Sequence, residues 1–62
     1  MTDSEIYLEY ITVGQYLKVT AIDAVTGEEV SFMADPSTPK KQLEDLAIKK
    51  LRYVQEKKRP KT

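Results

Sequence analysis

The sequence predicts an α+β domain: a three-stranded antiparallel β-meander followed by one long C-terminal α-helix, in the order β-β-β-α. Three observations carry this. Two runs dense in β-branched and aromatic residues flank Gly14-Gln15, and a third such run follows Thr26-Gly27. From Lys40 to about Lys57, neither glycine nor proline interrupts a stretch of good helix formers.

The first strand is expected over Glu5 to Val13 and the second over Tyr16 to Asp23. Gly14 as the first residue of a two-residue turn suits type II′, because glycine tolerates the positive φ of that position. A turn centred on Val13-Gly14 is disfavoured, since a β-branched residue resists positive φ. The Gly14-Gln15 register pairs Thr12 with Leu17, Tyr10 with Val19 and Leu8 with Ala21 on one face. The other face carries Ile11 with Lys18, Glu9 with Thr20 and Tyr7 with Ile22. The first set is nearly all apolar and the second mixes charge with aromatics, as a sheet with one buried face requires.

The second hairpin turns within Ala24 to Glu28, with Asp23 placed to cap it through its side chain. Thr26-Gly27 suggests a three-residue loop closed by Gly27 in the left-handed region as a G1 bulge. That loop pairs Ile22 with Val30 and turns Val30 and Phe32 toward the mixed face, whereas a four-residue loop turns them toward the helix. The apolar character of Val30 and Phe32 favours the second arrangement and the turn chemistry favours the first. The third strand is expected over Glu28 to Ala34.

Asp35-Pro36-Ser37-Thr38-Pro39 ends the sheet. Thr38 is the expected N-cap, with Pro39 at the first helical position and Ser37 as the fallback. Leu43, Leu46, Ala47, Leu51, Tyr53 and Val54 fall within one broad helical face, Lys50 lies inside it and Ile48 off it. Leu43, Leu46, Ala47, Leu51 and Val54 are therefore expected to pack on Leu8, Tyr10, Leu17 and Val19. Residues 1–58 are expected to make one small α+β domain, and residues 59–62 a disordered basic tail, in which Pro60 cannot continue the helix.

Composition removes whole classes of chemistry. The 62 residues contain neither cysteine nor histidine, which excludes disulfides, zinc–thiolate sites, thiol nucleophiles and the usual general base. Two glycines cannot build a phosphate-cradling loop, and no nucleophile–base pair is suitably spaced. The acids Glu5, Glu9, Asp23, Glu28 and Glu29 read as a solvated edge and turn, not as a calcium loop. A non-enzymatic domain without catalytic residues, cofactor or metal is expected. No apolar run approaches the ~20 residues of a membrane span. The opening Met1-Thr2-Asp3-Ser4-Glu5 lacks the basic start of a signal peptide, so a cytoplasmic location and no membrane partner are expected.

Two surfaces remain as candidate sites. The mixed sheet face offers Tyr7, Ile11, Tyr16, Lys18 and Ile22, with Val13 and Glu9 beside them, as a candidate protein interface. Its partner is either an unidentified protein or a second copy in a weak homodimer, since small domains often offset a thin core by oligomerising. The alternative is a nucleic-acid-binding accessory protein. Residues 1–31 hold six acids and one base, residues 32–62 four acids and nine bases, so positive charge gathers at the helix and its end. Lys49, Arg52, Lys57, Lys58 and Arg59, with Lys40 and Lys41, are the candidate anion contacts. The bland reading of that cluster is a helix C-terminus complementing its dipole and a solubilising tail. It has the greater weight, because net charge is zero and no aromatic is interleaved with the terminal run Lys57 to Lys61.

Two resemblances bear on these candidates. The stretch S-T-P-K-K-Q-L-E-D-L-A (Ser37 to Ala47) after three strands is similar to the last part of double-stranded RNA-binding domains. That likeness implies phosphate contacts at Lys40 and Lys41. The chain departs from that module in lacking its first helix and in carrying Glu44 and Asp45 just after the lysines. Over nearly its full length, through E-I-Y-L-E-Y-I-T-V-G-Q-Y-L-K-V-T-A-I-D-A-V-T-G-E-E-V and L-A-I-K-K-L-R-Y-V, the chain resembles a family of very short bacterial proteins of unknown function. Members sometimes carry the label serine hydroxymethyltransferase. That activity needs a cofactor cup and a buried Schiff-base lysine, which 62 residues cannot enclose.

Overall fold

The first turn sets everything after it. Gly14 takes φ +61°, and among the described residues only glycines enter the left-handed region, so Gln15 does not. Positive φ at the first central residue alone is the type II′ signature. The computed structural model, which describes residues 5–58, joins β1 (Ile6–Val13) to β2 (Tyr16–Asp23) through this turn. The register follows residue by residue as the sequence predicts: Leu8 opposite Ala21, Tyr10 opposite Val19, Thr12 opposite Leu17, and Tyr7, Glu9 and Ile11 opposite Ile22, Thr20 and Lys18.

The second hairpin corrects the three-residue loop. Ile22 lies opposite Glu29 and Ala21 opposite Val30, so the loop is one residue longer. The reason is Asp23. Its Oδ1 accepts from the amides of Val25 (2.8 Å) and Thr26 (3.2 Å), while its carbonyl accepts from Gly27 N (2.8 Å). These bonds wind the loop into a single helical turn, which Gly27 leaves at φ +80°. The extra residue turns Val30 and Phe32 of β3 (Glu29–Ala34) toward the helix and Ser31 and Met33 away from it.

The sheet runs in the order β1-β2-β3, with α1 (Lys40–Lys58) across one face. Val19, Ala21, Leu43, Ala47 and Leu51 are buried at the centre. Ile6, Leu8, Tyr10, Leu17, Val30, Phe32 and Ala34 pack partly buried around them. The helix presents Leu43, Ala47 and Leu51, one turn apart, to the sheet. Leu46, expected in the core, is 40% exposed, and Tyr53 is exposed, whereas Ile48, expected off the face, is half-buried. The burial stripe is thus rotated away from the β3 edge, where no further strand exists among the described residues to cover Leu46.

The helix start also differs from expectation. Pro39 supplies the first helical carbonyl, accepting from Gln42 N and Leu43 N at 3.1 Å. Among the described residues no side-chain hydrogen bond involves Thr38. Instead Asp35 ties the loop, its Oδ1 accepting from the amide (2.8 Å) and hydroxyl (2.7 Å) of Ser37. Those bonds hold the Asp35 carboxyl below its ordinary pKa. The predicted tail, 59–62, lies outside the described residues. No helix among the described residues is long and apolar enough to cross a membrane.

Candidate interaction surface

Alternation along each strand sends every second side chain to the face that α1 leaves open. Tyr7, Glu9, Ile11 and Val13 from β1 stand there beside Tyr16, Lys18, Thr20 and Ile22 from β2, and Glu29, Ser31 and Met33 from β3. Tyr16 is 58% exposed, and Tyr7, Ile11, Val13 and Met33 are exposed with it. All of the sequence-predicted interface residues, Tyr7, Ile11, Tyr16, Lys18 and Ile22, therefore share one face; Ile22 is half-buried within it. Met33 is an addition that the longer second loop brings to this side.

At the centre of this face lies a feature that sequence reasoning missed. Thr20 is only 6% exposed although no helix covers it. Glu9 and Ser31 flank it across the strands, and Lys18 and Ile22 along its own. Its hydroxyl shares a 2.9 Å hydrogen bond with that of Ser31. The signal was in the register: a small residue mid-way along a central strand is shaded by larger neighbours on every side.

Most of the cations in and beside the alternative site are already engaged. The Lys40 ammonium sits 5.0 Å from the Tyr10 ring centre, that of Lys50 5.6 Å from Phe32 and that of Lys57 5.8 Å from Tyr53. Lys41 pairs with Asp45 at 3.2 Å and Lys58 with Glu28 at 3.7 Å. Arg52 donates to Gln55 (2.8 Å) and to Asp23 (3.4 Å). Lys49 is exposed, with no ion pair among the described residues, and Arg59 lies outside them. The cations are thus spread around the helix and turned to different partners, not gathered on one phosphate-facing surface.

Asp23, expected on a solvated turn, is the exception among the acids, being 1% exposed. Its Oδ2 accepts from Gln55 Nε2 (2.8 Å) and from Arg52, joining the β2–β3 loop to the last turns of the helix. The Gln55 bond, then the Val25 and Thr26 amides and the Arg52 charge, hold the carboxyl below its ordinary pKa against the opposing effect of burial. The described residues leave no buried side-chain nitrogen or oxygen unpartnered. Asp23 is therefore a satisfied structural anion, and no group of three Asp or Glu among the described residues comes together to hold a metal.

A family model described as Domain of unknown function (DUF6898) matches residues 3–58. The chain belongs to that family. The match spans both hairpins and the whole helix, in line with the resemblance to a family of very short proteins of unknown function. No curated protein and no solved structure matches the chain.

Proposed function

We propose that this DUF6898 domain is a non-enzymatic interaction module of the cytoplasm that self-associates through the open face of its sheet. The observation that supports this is the gathering of Tyr7, Ile11, Val13, Tyr16 and Met33, all exposed, on one contiguous side of a sheet whose other side is filled. Scattered exposed apolar residues are ordinary, whereas large ones collected on one face mark contact surfaces. Tyr and Met are among the residue types favoured at interface centres. Glu9 and Lys18, both exposed on this face, are of opposite charge and suited to pair about a two-fold axis, setting register more than strength.

A homodimer held by this one small face is expected to be weak, with a Kd of about micromolar or looser. Sedimentation equilibrium over about a hundred-fold range of concentration tests it. The wild type is expected to rise from one chain mass toward two, and Tyr16→Glu to stay at one. A wild type that remains monomeric throughout contradicts the reading. A salt-sensitive shift with RNA or DNA in place of self-association would instead favour the nucleic-acid alternative, for which the cations along the helix are the supporting observation.

A further inference from the structure

A second surface lies on the other side of the molecule, along the free edge of β3. A groove of about 530 Å³ runs between that edge and the helix. Val30, Leu46, Tyr53 and Val54 line it with apolar surface, and Leu46 and Tyr53 are among the most exposed large apolar side chains of the helix. Lys49 and Lys50 are its charged residues, and no acid lines it. Ser31 also borders the groove, yet its hydroxyl is bonded to Thr20 on the opposite face. Ser31 therefore meets the groove through its main chain.

The register says which way that main chain points. The amide of Asp23 donates to the carbonyl of Glu28, which makes those two residues a hydrogen-bonded pair. Such pairs alternate along an antiparallel ladder. Val30 and Phe32 therefore turn their N–H and C=O groups inward to β2, and Glu29, Ser31 and Met33 turn theirs outward to the edge. A row of main-chain donors and acceptors with no partner strand among the described residues thus borders an apolar groove with a positive rim.

We infer that this groove is a docking site for an extended peptide segment of another protein, added antiparallel to β3 as a fourth strand. Its alternate side chains are apolar and fill the space beside Leu46, Tyr53 and Val54, and an Asp or Glu next to them meets Lys49 and Lys50. Main-chain bonds to Ser31 and its neighbours hold such a segment in register, while the groove and the two lysines select its sequence. This surface is separate from the open sheet face, so a chain that never dimerises can still use it, and each reading can fail alone.

The test selects a phage-displayed library of random peptides, about ten residues long to exceed one strand, on the immobilised full chain. The recovered peptide is then titrated against the chain's amide NMR spectrum. Recovered sequences are expected to alternate apolar residues with at least one Asp or Glu. Shift changes should gather at Val30–Met33 and Leu46–Val54, with the Ser31 and Met33 amides gaining protection from exchange. Joint Lys49→Glu and Lys50→Glu reversal should weaken binding by about tenfold or more. Tyr53→Asp, at an exposed site that keeps both lysines, should also weaken it, so a folding defect in the first variant leaves the test intact. The inference is overturned if no peptide is recovered, if the recovered peptides lack acids, or if the shifts fall on the open face. Groove shifts produced by concentrating the chain alone would also overturn it, by making a second copy the occupant.

Discussion

The two faces of the sheet are built from the same strands with the same alternation, yet they end in opposite states. On the helix side, Val19 and Ala21 are fully buried beneath Leu43, Ala47 and Leu51. On the other side, Tyr7, Ile11 and Tyr16 are larger, stand among Glu9 and Lys18, and face solvent. The alternation sends nearly all-apolar pairs to one side and charges interleaved with aromatics to the other, and the one helix among the described residues covers the apolar side. Thr20 is the exception on the uncovered face: its neighbours bury it there, and its hydroxyl bonds that of the exposed Ser31. The proposed self-association uses this uncovered face, where Tyr7, Ile11 and Tyr16 are exposed.

The comparison can be broken from the covered side first. Leu51→Ala removes the largest fully buried apolar side chain and should cost about 2–5 kcal/mol, through lost transfer and an unfilled cavity. The total stability of a domain this small is about 5 kcal/mol, so thermal or urea unfolding should find the variant largely unfolded at body temperature. A variant melting within a few degrees of wild type would mean the covered face is not the core.

The next effect is at Asp23, which holds the second loop to the helix. Its carboxyl titrates below the ordinary value in the folded chain, so folding favours the ionised form. The stabilisation is complete above the unfolded-state pKa of about 4 and is lost as pH falls through the lower folded value. Stability measured by denaturant titration should therefore decline on acidification. Asp23→Asn should be less stable at neutral pH and lose less on acidification. An acid limb identical to wild type would show that this carboxylate is not linked to folding.

Leu46→Ala should be mild, about 1 kcal/mol, because Leu46 borders the groove and is not in the core. A loss as large as that of Leu51→Ala would place it back among the buried residues.

How much of this the sequence disclosed varies by element, for physical reasons. The β1–β2 register was legible to the residue because a two-residue turn led by Gly14 admits one pairing. The β2–β3 register was not, because Asp23 winds its loop through two amides while also bonding Gln55, 32 residues away, and no local pattern reports such a tether. The helix stripe was readable as an arc but not in its centre. Spacing places Leu46 inside the face and Ile48 off it, but among the described residues no strand beyond β3 covers Leu46, while Ile48 is half-buried. The residues of the open face were legible because they follow from the first register. The groove along β3 was not, since Val30, Ser31 and Leu46 meet only once the second loop has its full length.

Self-association through the open face is the central claim, and a dilution series of the amide NMR spectrum tests it most directly. On concentration, shifts should move at Tyr7–Val13, at Tyr16–Ile22 and at Met33, while Leu43, Ala47 and Leu51 stay fixed; Tyr16→Glu should abolish the movement without changing the melting temperature by more than a few degrees. Spectra that do not change with concentration, or changes confined to the helix, would contradict it.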